Sequence, residues 1–172
     1  MCSLGALHQV QGKLDEAYAE SAAALALAQS IGHARLECVA GCNLGLVHLA
    51  RAEWDGARGC LEAALDLARE VRDSRSEGLF LGYLARVHAI QSRFNDARAC
   101  LESGEPLLRA AADRYSLGLL TCSRAEVEWL AGDSVAARAA LKRAVALQGE
   151  VGSGPQSEFG AAVARIATII NS

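Results

Sequence analysis

Aromatic side chains are scarce, 5% of 172 residues, so a core built on stacked rings is excluded and the task falls to Ala, Leu, Val and Ile. Prolines are scarcer still: Pro106 and Pro155 are the only two. Long helices are therefore permitted, because proline is what breaks a helix interior. There is no basic surplus. Seventeen Lys and Arg against 20 Asp and Glu leave a formal charge of −3. That removes the electrostatic case for nucleic acid, whose binders need a concentrated basic face. Lysine is nearly absent, only Lys13 and Lys142, a bias toward Arg that fits a GC-rich genome. Long apolar runs are missing too. The longest stretch free of Asp, Glu, Lys and Arg runs from Ser21 to Ala34, fourteen residues, short of the roughly 20 that span a bilayer. Met1-Cys2-Ser3-Leu4 opens no basic-then-apolar segment, so no signal peptide is expected and a cytoplasmic site is. A Gly-rich phosphate loop and a Ser–His–Asp pattern in a strand-turn-helix setting are both absent. Neither an enzymatic activity nor a cofactor is expected.

What is present is repetition. Leu4-Gly5, Leu44-Gly45 and Leu84-Ala85 stand forty residues apart, and Arg124-Ala125 follows in weaker form. His8, His48 and His88 keep the same step, as do Ala17, Ala57, Ala97 and Ala137. A period between about 20 and 50 residues marks an array of supersecondary units. Apolar residues within each unit recur at steps of three and four, the helical spacing. Leu36, Val39, Ala40, Leu44 and Val47 do so in one helix, and Ala57, Leu61, Ala64, Leu65 and Ala68 in the next. Each unit thus reads as two helices. The expected spans are Leu14–Ile31, His33–Ala50, Trp54–Val71, Ser74–Gln91, Phe94–Ala111, Arg114–Leu130, Val135–Gln148 and a closing helix Gln156–Ile170 begun by Pro155. His33, Asp73, Asp113 and Ser153 share one junction register, where Asp and Ser are good N-caps. Ser74 with Glu77 has the form of a capping box.

The domain reading is a single repeat domain over residues 1–172. Its units are 1–32 (truncated), 33–72, 73–112 and 113–152, with a capping helix over 155–171. The first unit keeps only Met1–Gln11 of its leading helix. Half a helix is a poor end cap, so the chain is expected either to be a segment of a longer solenoid or to cover that end by self-association.

These units resemble tetratricopeptide repeats. Leu44-Gly45 matches the signature Leu-Gly pair and His48 stands in the Tyr place. Ala57, Leu61 and Ala64 match the second helix. Leu84, Ala85, His88, Ala97, Leu101 and Gly104 follow in the third unit, and Ala125, Glu128, Ala137, Leu141 and Ala144 in the fourth. The standard repeat has 34 residues; the longer period here is similar to that of kinesin light chains and bacterial regulators. The resemblance implies an all-α fold, a right-handed α-α superhelix of antiparallel helix pairs. It implies that Gly45 and Ala57 are small because the two helices of a unit cross there. It also implies a protein-interaction scaffold, part of a bacterial signalling or transcriptional regulator, whose leading helices line a groove for a peptide, helix or neighbouring domain. By register that groove takes Cys42, Asn43, Leu46 and Leu49 from the second unit. The third contributes Tyr83, Arg86 and Ala89, and the fourth Ser123, Glu126 and Trp129, with Arg86 and Glu126 placed to pair. The alternative function is a self-associating unit, a homodimer through the N-terminal end.

Six cysteines invite a metal or redox reading. Yet Cys42 and Cys122 share a register position with Cys2 and Gly82, and Cys60 and Cys100 share one with Glu20 and Ala140. Cysteine trading places with Gly and Ala is a small packing residue. His8, His48 and His88 each sit on a different unit, too far apart to hold one ion, and His33 belongs to a junction. No metal site is expected.

Overall fold

In the computed structural model, which describes residues 13–171, the chain is helical and, among the described residues, contains no strand. The helices are α1 (Leu14–Ser30), α2 (Ala34–Ala50), α3 (Trp54–Glu70), α4 (Ser74–Ile90), α5 (Phe94–Ala110), α6 (Arg114–Leu130), α7 (Ser134–Val151) and α8 (Glu158–Asn171). The leading helices of the units are α2, α4 and α6; the trailing helices are α1, α3, α5 and α7. The helix read over Met1–Gln11, with Cys2, Leu4, Gly5 and His8, lies outside the described residues.

One turn joins all of these helices up to α7. A residue with left-handed backbone recurs every twenty positions: Gly32, Ala52, Arg72, Ser92, Ala112, Gly132 and Gly152, with φ between 51° and 84°. The next residue's N–H bonds back to a carbonyl in the last turn of the helix. The pairs are His33 to Ala28, Glu53 to His48, Asp73 to Ala68, Arg93 to His88, Asp113 to Leu108, Asp133 to Glu128 and Ser153 to Gln148. This is the Schellman closure, which satisfies carbonyls that a helix end would leave orphaned. Glycine is the natural occupant because other residues crowd their Cβ there, yet four of the seven are not glycine.

Helix starts explain where the expected spans shift. His33 Nδ1 accepts from Leu36 N, Asp113 Oδ1 from Ser116 N, and Asp133 Oδ1 from Ala136 N at 2.8 Å, which starts α7 at Ser134. Asp73, rather than the Ser74–Glu77 box, caps α4: its Oδ1 accepts Ser76 N at 3.1 Å and its Oδ2 accepts Ser76 Oγ at 3.0 Å. Likewise Ser157 Oγ accepts Gly160 N at 3.0 Å, so α8 starts at Glu158, beyond Pro155.

The described chain divides into two compact units, one ending at Ser76 and one starting at Glu77. In the first, α2 packs between α1 and α3. A Cβ on Gly45 would stand 2.9 Å from Leu61 Cγ and 3.3 Å from the Ala57 carbonyl. The crossing expected of Gly45 and Ala57 is therefore real, and a larger side chain there would cost about 1–3 kcal/mol. Tyr18 meets His48 edge to face at 5.4 Å, and the Arg51 guanidinium lies 4.6 Å above the Tyr18 ring. Thirty residues also separate Arg98 and Glu128 in the second unit, where a bidentate ion pair replaces the aromatic contact.

In the second unit, α6 packs against α5, α7 and α8. Its core joins Leu119, Cys122, Ala125, Ala137, Ala140 and Ala144 to Phe159, Val163, Ile166 and Ile170 of α8. Burying side chains the size of Phe159, Ile166 and Ile170 contributes about 1.5–3 kcal/mol each. The closing helix is thus a structural part of this unit. Gly118 makes the fit possible, since the ring of Phe159 occupies the space its Cβ would need.

Candidate ligand-binding face of the leading helices

The five cysteines among the described residues are packing groups. Cys38, Cys42 and Cys122 are buried, Cys60 and Cys100 half-buried, and all five are free thiols. Cys38 Sγ donates to the Ala64 carbonyl at 3.3 Å. Burial pushes its pKa up to about 11, helped by the charges of Asp73 and Glu37. Burial likewise raises Cys122 to about 12 against the opposing pull of Arg165 and Arg86. The thiolate is the nucleophile and the metal ligand, and these sites suppress it. Among the described residues no three His, Cys, Asp or Glu side chains are grouped to hold a metal ion.

Within the first unit, α2 presents one stripe at helical spacing: Leu36, Val39, Asn43 and Leu46. Leu36 is 46% exposed and Val39 39%, while Asn43 and Leu46 are half-buried. Cys42 and Leu49, also read as groove residues, are buried on the packed side of the helix.

The second unit is different in kind. Tyr83 is buried, and its hydroxyl donates to Glu158 Oε1 at 2.5 Å. Arg86 Nε donates to Glu126 Oε2 at 2.8 Å, the pairing expected from their register. Arg165 of α8 closes on the same carboxylate, Nη1 to Oε1 at 3.0 Å and Nη2 to Oε2 at 2.8 Å. Ser123 is buried and its Oγ donates to the Leu119 carbonyl; Ala89 is buried as well. Trp129 is half-buried against the core shared with α8. Burial would raise the Glu126 carboxyl, but the Arg86 and Arg165 guanidiniums outweigh it and hold the group below its usual range. A carboxylate bonded by two guanidiniums spanning α4, α6 and α8 is charge-assisted on both sides.

Arg165 and Glu158 were not legible as part of this site. Their one signal is spacing: Arg165 follows Glu126 by 39 residues, nearly the repeat step. A second charge cluster gathers on half-buried Glu105 and Arg124. Glu105 accepts from Arg109 at 2.6 Å and from Arg124 at 2.9 Å, with Arg143 at 3.9 Å. Burial works against its ionisation there, and Arg109, Arg124 and Arg143 more than offset it, so its pKa lies below normal.

These features define an all-α solenoid of antiparallel helix pairs. Its repeats are TPR-like. Two solved structures of nearly identical TPR-like repeats from Podosopora anserina, described as a putative kinesin light chain, superpose with a TM-score of 0.65. One of them carries a single substitution and is 17% identical to this chain; the other is 18% identical. Each match covers 99% of this chain and 84% of the other. At that identity the likeness speaks for the fold alone. No protein-family model and no curated protein matches the sequence.

Proposed function

We propose that the chain is a non-enzymatic, cytoplasmic protein-interaction scaffold that holds a peptide or helix against its leading helices. The observation that carries this reading is the stripe along α2, exposed at Leu36 and Val39 and half-buried at Asn43 and Leu46. An amphipathic helix anchors on such a row through residues at i, i+3, i+4 and i+7. In the second unit Arg86 and Trp129 are the half-buried members of the proposed groove and the ones open to a ligand, while Tyr83, Ala89, Ser123 and Glu126 shape it from below. A place in a bacterial signalling or transcriptional regulator belongs to the same proposal. It rests on the resemblance of Asn43-Leu44-Gly45 and Gly132-Asp133 with Ala137 to repeats of that kind. Among the described residues no helix is long and apolar enough to cross a membrane.

The test is peptide display against the immobilised chain. Selected clones should lose binding to a Val39→Asp/Leu46→Asp variant and keep it on Ala63→Asp, a trailing-helix position. Clones that bind all three proteins equally would sink the assignment.

A further inference from the structure

Three guanidiniums converge on one carboxylate in the second unit. Glu105 of α5 accepts from Arg109 Nη2 at 2.6 Å and from Arg124 Nη2 of α6 at 2.9 Å. Arg143 of α7 stands 3.9 Å away, beyond hydrogen-bond reach. Three cations thus face a single anion, a surplus of two positive charges. The cluster is also short of acceptors. Arg124 Nε is buried and meets no acceptor among the described residues. Arg143 spends none of its guanidinium donors on Glu105.

The repeat frame does not ask for these charges. Forty and eighty residues earlier, the register puts Leu65 and Leu25 at the Glu105 position and Leu84 and Leu44 at the Arg124 position. At the Arg143 position it puts Ser103 and Ala63. Well-packed apolar side chains are often as stabilising as a buried ionic set of similar bulk, so the ionic set needs another reason. A cavity of about 390 Å3 adjoins the cluster and shares Arg109 with it. Leu108 of α5, Leu117 of α6 and Leu147 of α7 line it. Leu147 follows Arg143 by one turn on the same face of α7. The other charges of the cavity are already balanced: Arg114 pairs with Glu150, and Asp113 caps α6.

We propose that the cluster and the cavity together bind a small organic phosphomonoester. Such a group carries about −1.5 to −2 charge at neutral pH and three strong acceptor oxygens, which answers both the surplus charge and the missing acceptors. A carboxylate brings one charge and two oxygens. Guanidiniums take phosphate oxygens in pairs. Arg109 and Arg143, the exposed arms of the cluster, receive the phosphoryl group, with half-buried Arg124 behind them. The organic body lies over Leu108, Leu117 and Leu147. The cavity falls within the roughly 300–1,000 Å3 of small-molecule sites. The site uses neither the α2 stripe nor Arg86 and Trp129, so it goes beyond the scaffold reading and either can fail alone.

Titration calorimetry of the intact chain at low salt tests it, with phenyl phosphate as the probe. Phenyl phosphate should bind once per chain. Inorganic phosphate should bind roughly tenfold more weakly or worse, since it buries no apolar surface, and phenol should not bind. Arg143→Gln changes an exposed side chain that makes no hydrogen bond to Glu105. It should weaken phenyl phosphate about tenfold, the worth of one charge-assisted bond, and leave the Tm of the free chain unchanged. Arg138→Gln removes the same charge from another face of α7 and should bind like wild type. Glu105→Gln deletes the competing anion and should bind more tightly, with circular dichroism showing that the chain is still folded. The proposal is overturned by a wild-type chain without saturable binding, or by inorganic phosphate binding as tightly as phenyl phosphate. It is equally overturned if Arg138→Gln loses as much affinity as Arg143→Gln, or if a folded Glu105→Gln chain binds more weakly than wild type.

Discussion

Replacing Glu126 by Gln keeps the shape of the side chain and removes its charge, leaving the Arg86 and Arg165 guanidiniums facing one neutral oxygen. Three bonds are weakened at once, Arg86 Nε at 2.8 Å and Arg165 Nη1 and Nη2 at 3.0 and 2.8 Å. Breaking a fully buried ion pair costs about 3–5 kcal/mol. Here Arg165 remains exposed to water and the amide still accepts a bond, so the loss should be about 2–3 kcal/mol. In a chain of this size that lowers Tm by about 4–12 °C. Trp129 fluorescence in a Trp54→Phe background follows the unit that contains the site. The pH dependence adds a second check. The folded carboxyl lies below its ordinary value of 4.5, so its contribution is complete above that pH and disappears as pH falls through the folded pKa. The gap between wild type and Glu126→Gln should therefore be full at neutral pH and close in acid. Equal midpoints at pH 7, or a gap that persists unchanged in acid, would refute the reasoning. Removing Arg165 as Arg165→Met in the Glu126→Gln background should cost less than in wild type, since the two share one interaction.

Three further outcomes are expected. Gly118→Ala should loosen α8, because the new Cβ would fall 2.1 Å from Phe159 Cζ; the cost is about 1–3 kcal/mol, read as faster proteolysis at the Gly152–Pro155 link. Ala112→Gly, at φ 51°, should raise the urea midpoint by relieving about 1 kcal/mol of left-handed strain, and an unchanged or lower midpoint would count against the turn described. A disulfide reagent at pH 8 should modify half-buried Cys100 in the native chain well before Cys38 and Cys122, whose pKa values of about 11 and about 12 keep them protonated; mass mapping that finds Cys38 equally fast contradicts that.

Periodicity made the helices legible, and every described helix falls within three residues of its expected start and end. The pairing of Arg86 with Glu126 was readable for the same reason, since both lie on leading helices in one register. The third member was not. Arg165 belongs to a helix that follows an irregular link, and only the fold brings it back beside Glu126. Register also failed to separate outward from inward positions one step apart, so Cys42 and Leu49 were grouped with Asn43 and Leu46 although a helix turns them toward the core. The left-handed residues Ala52, Arg72, Ser92 and Ala112 carry no side-chain signal at all. Their conformation is imposed by hydrogen bonds of the chain on either side.

Those turns have a consequence for how such a chain can change over time. Each closure is made by main-chain N–H and carbonyl groups, which every residue except proline supplies in full. Helix length and the angle of return are therefore inherited through the backbone, while the side chains at the junction remain free to vary. Two chains built this way can share as little as 17% identity and still take the same fold. Their surfaces are then open to new partners without the frame having to be rebuilt.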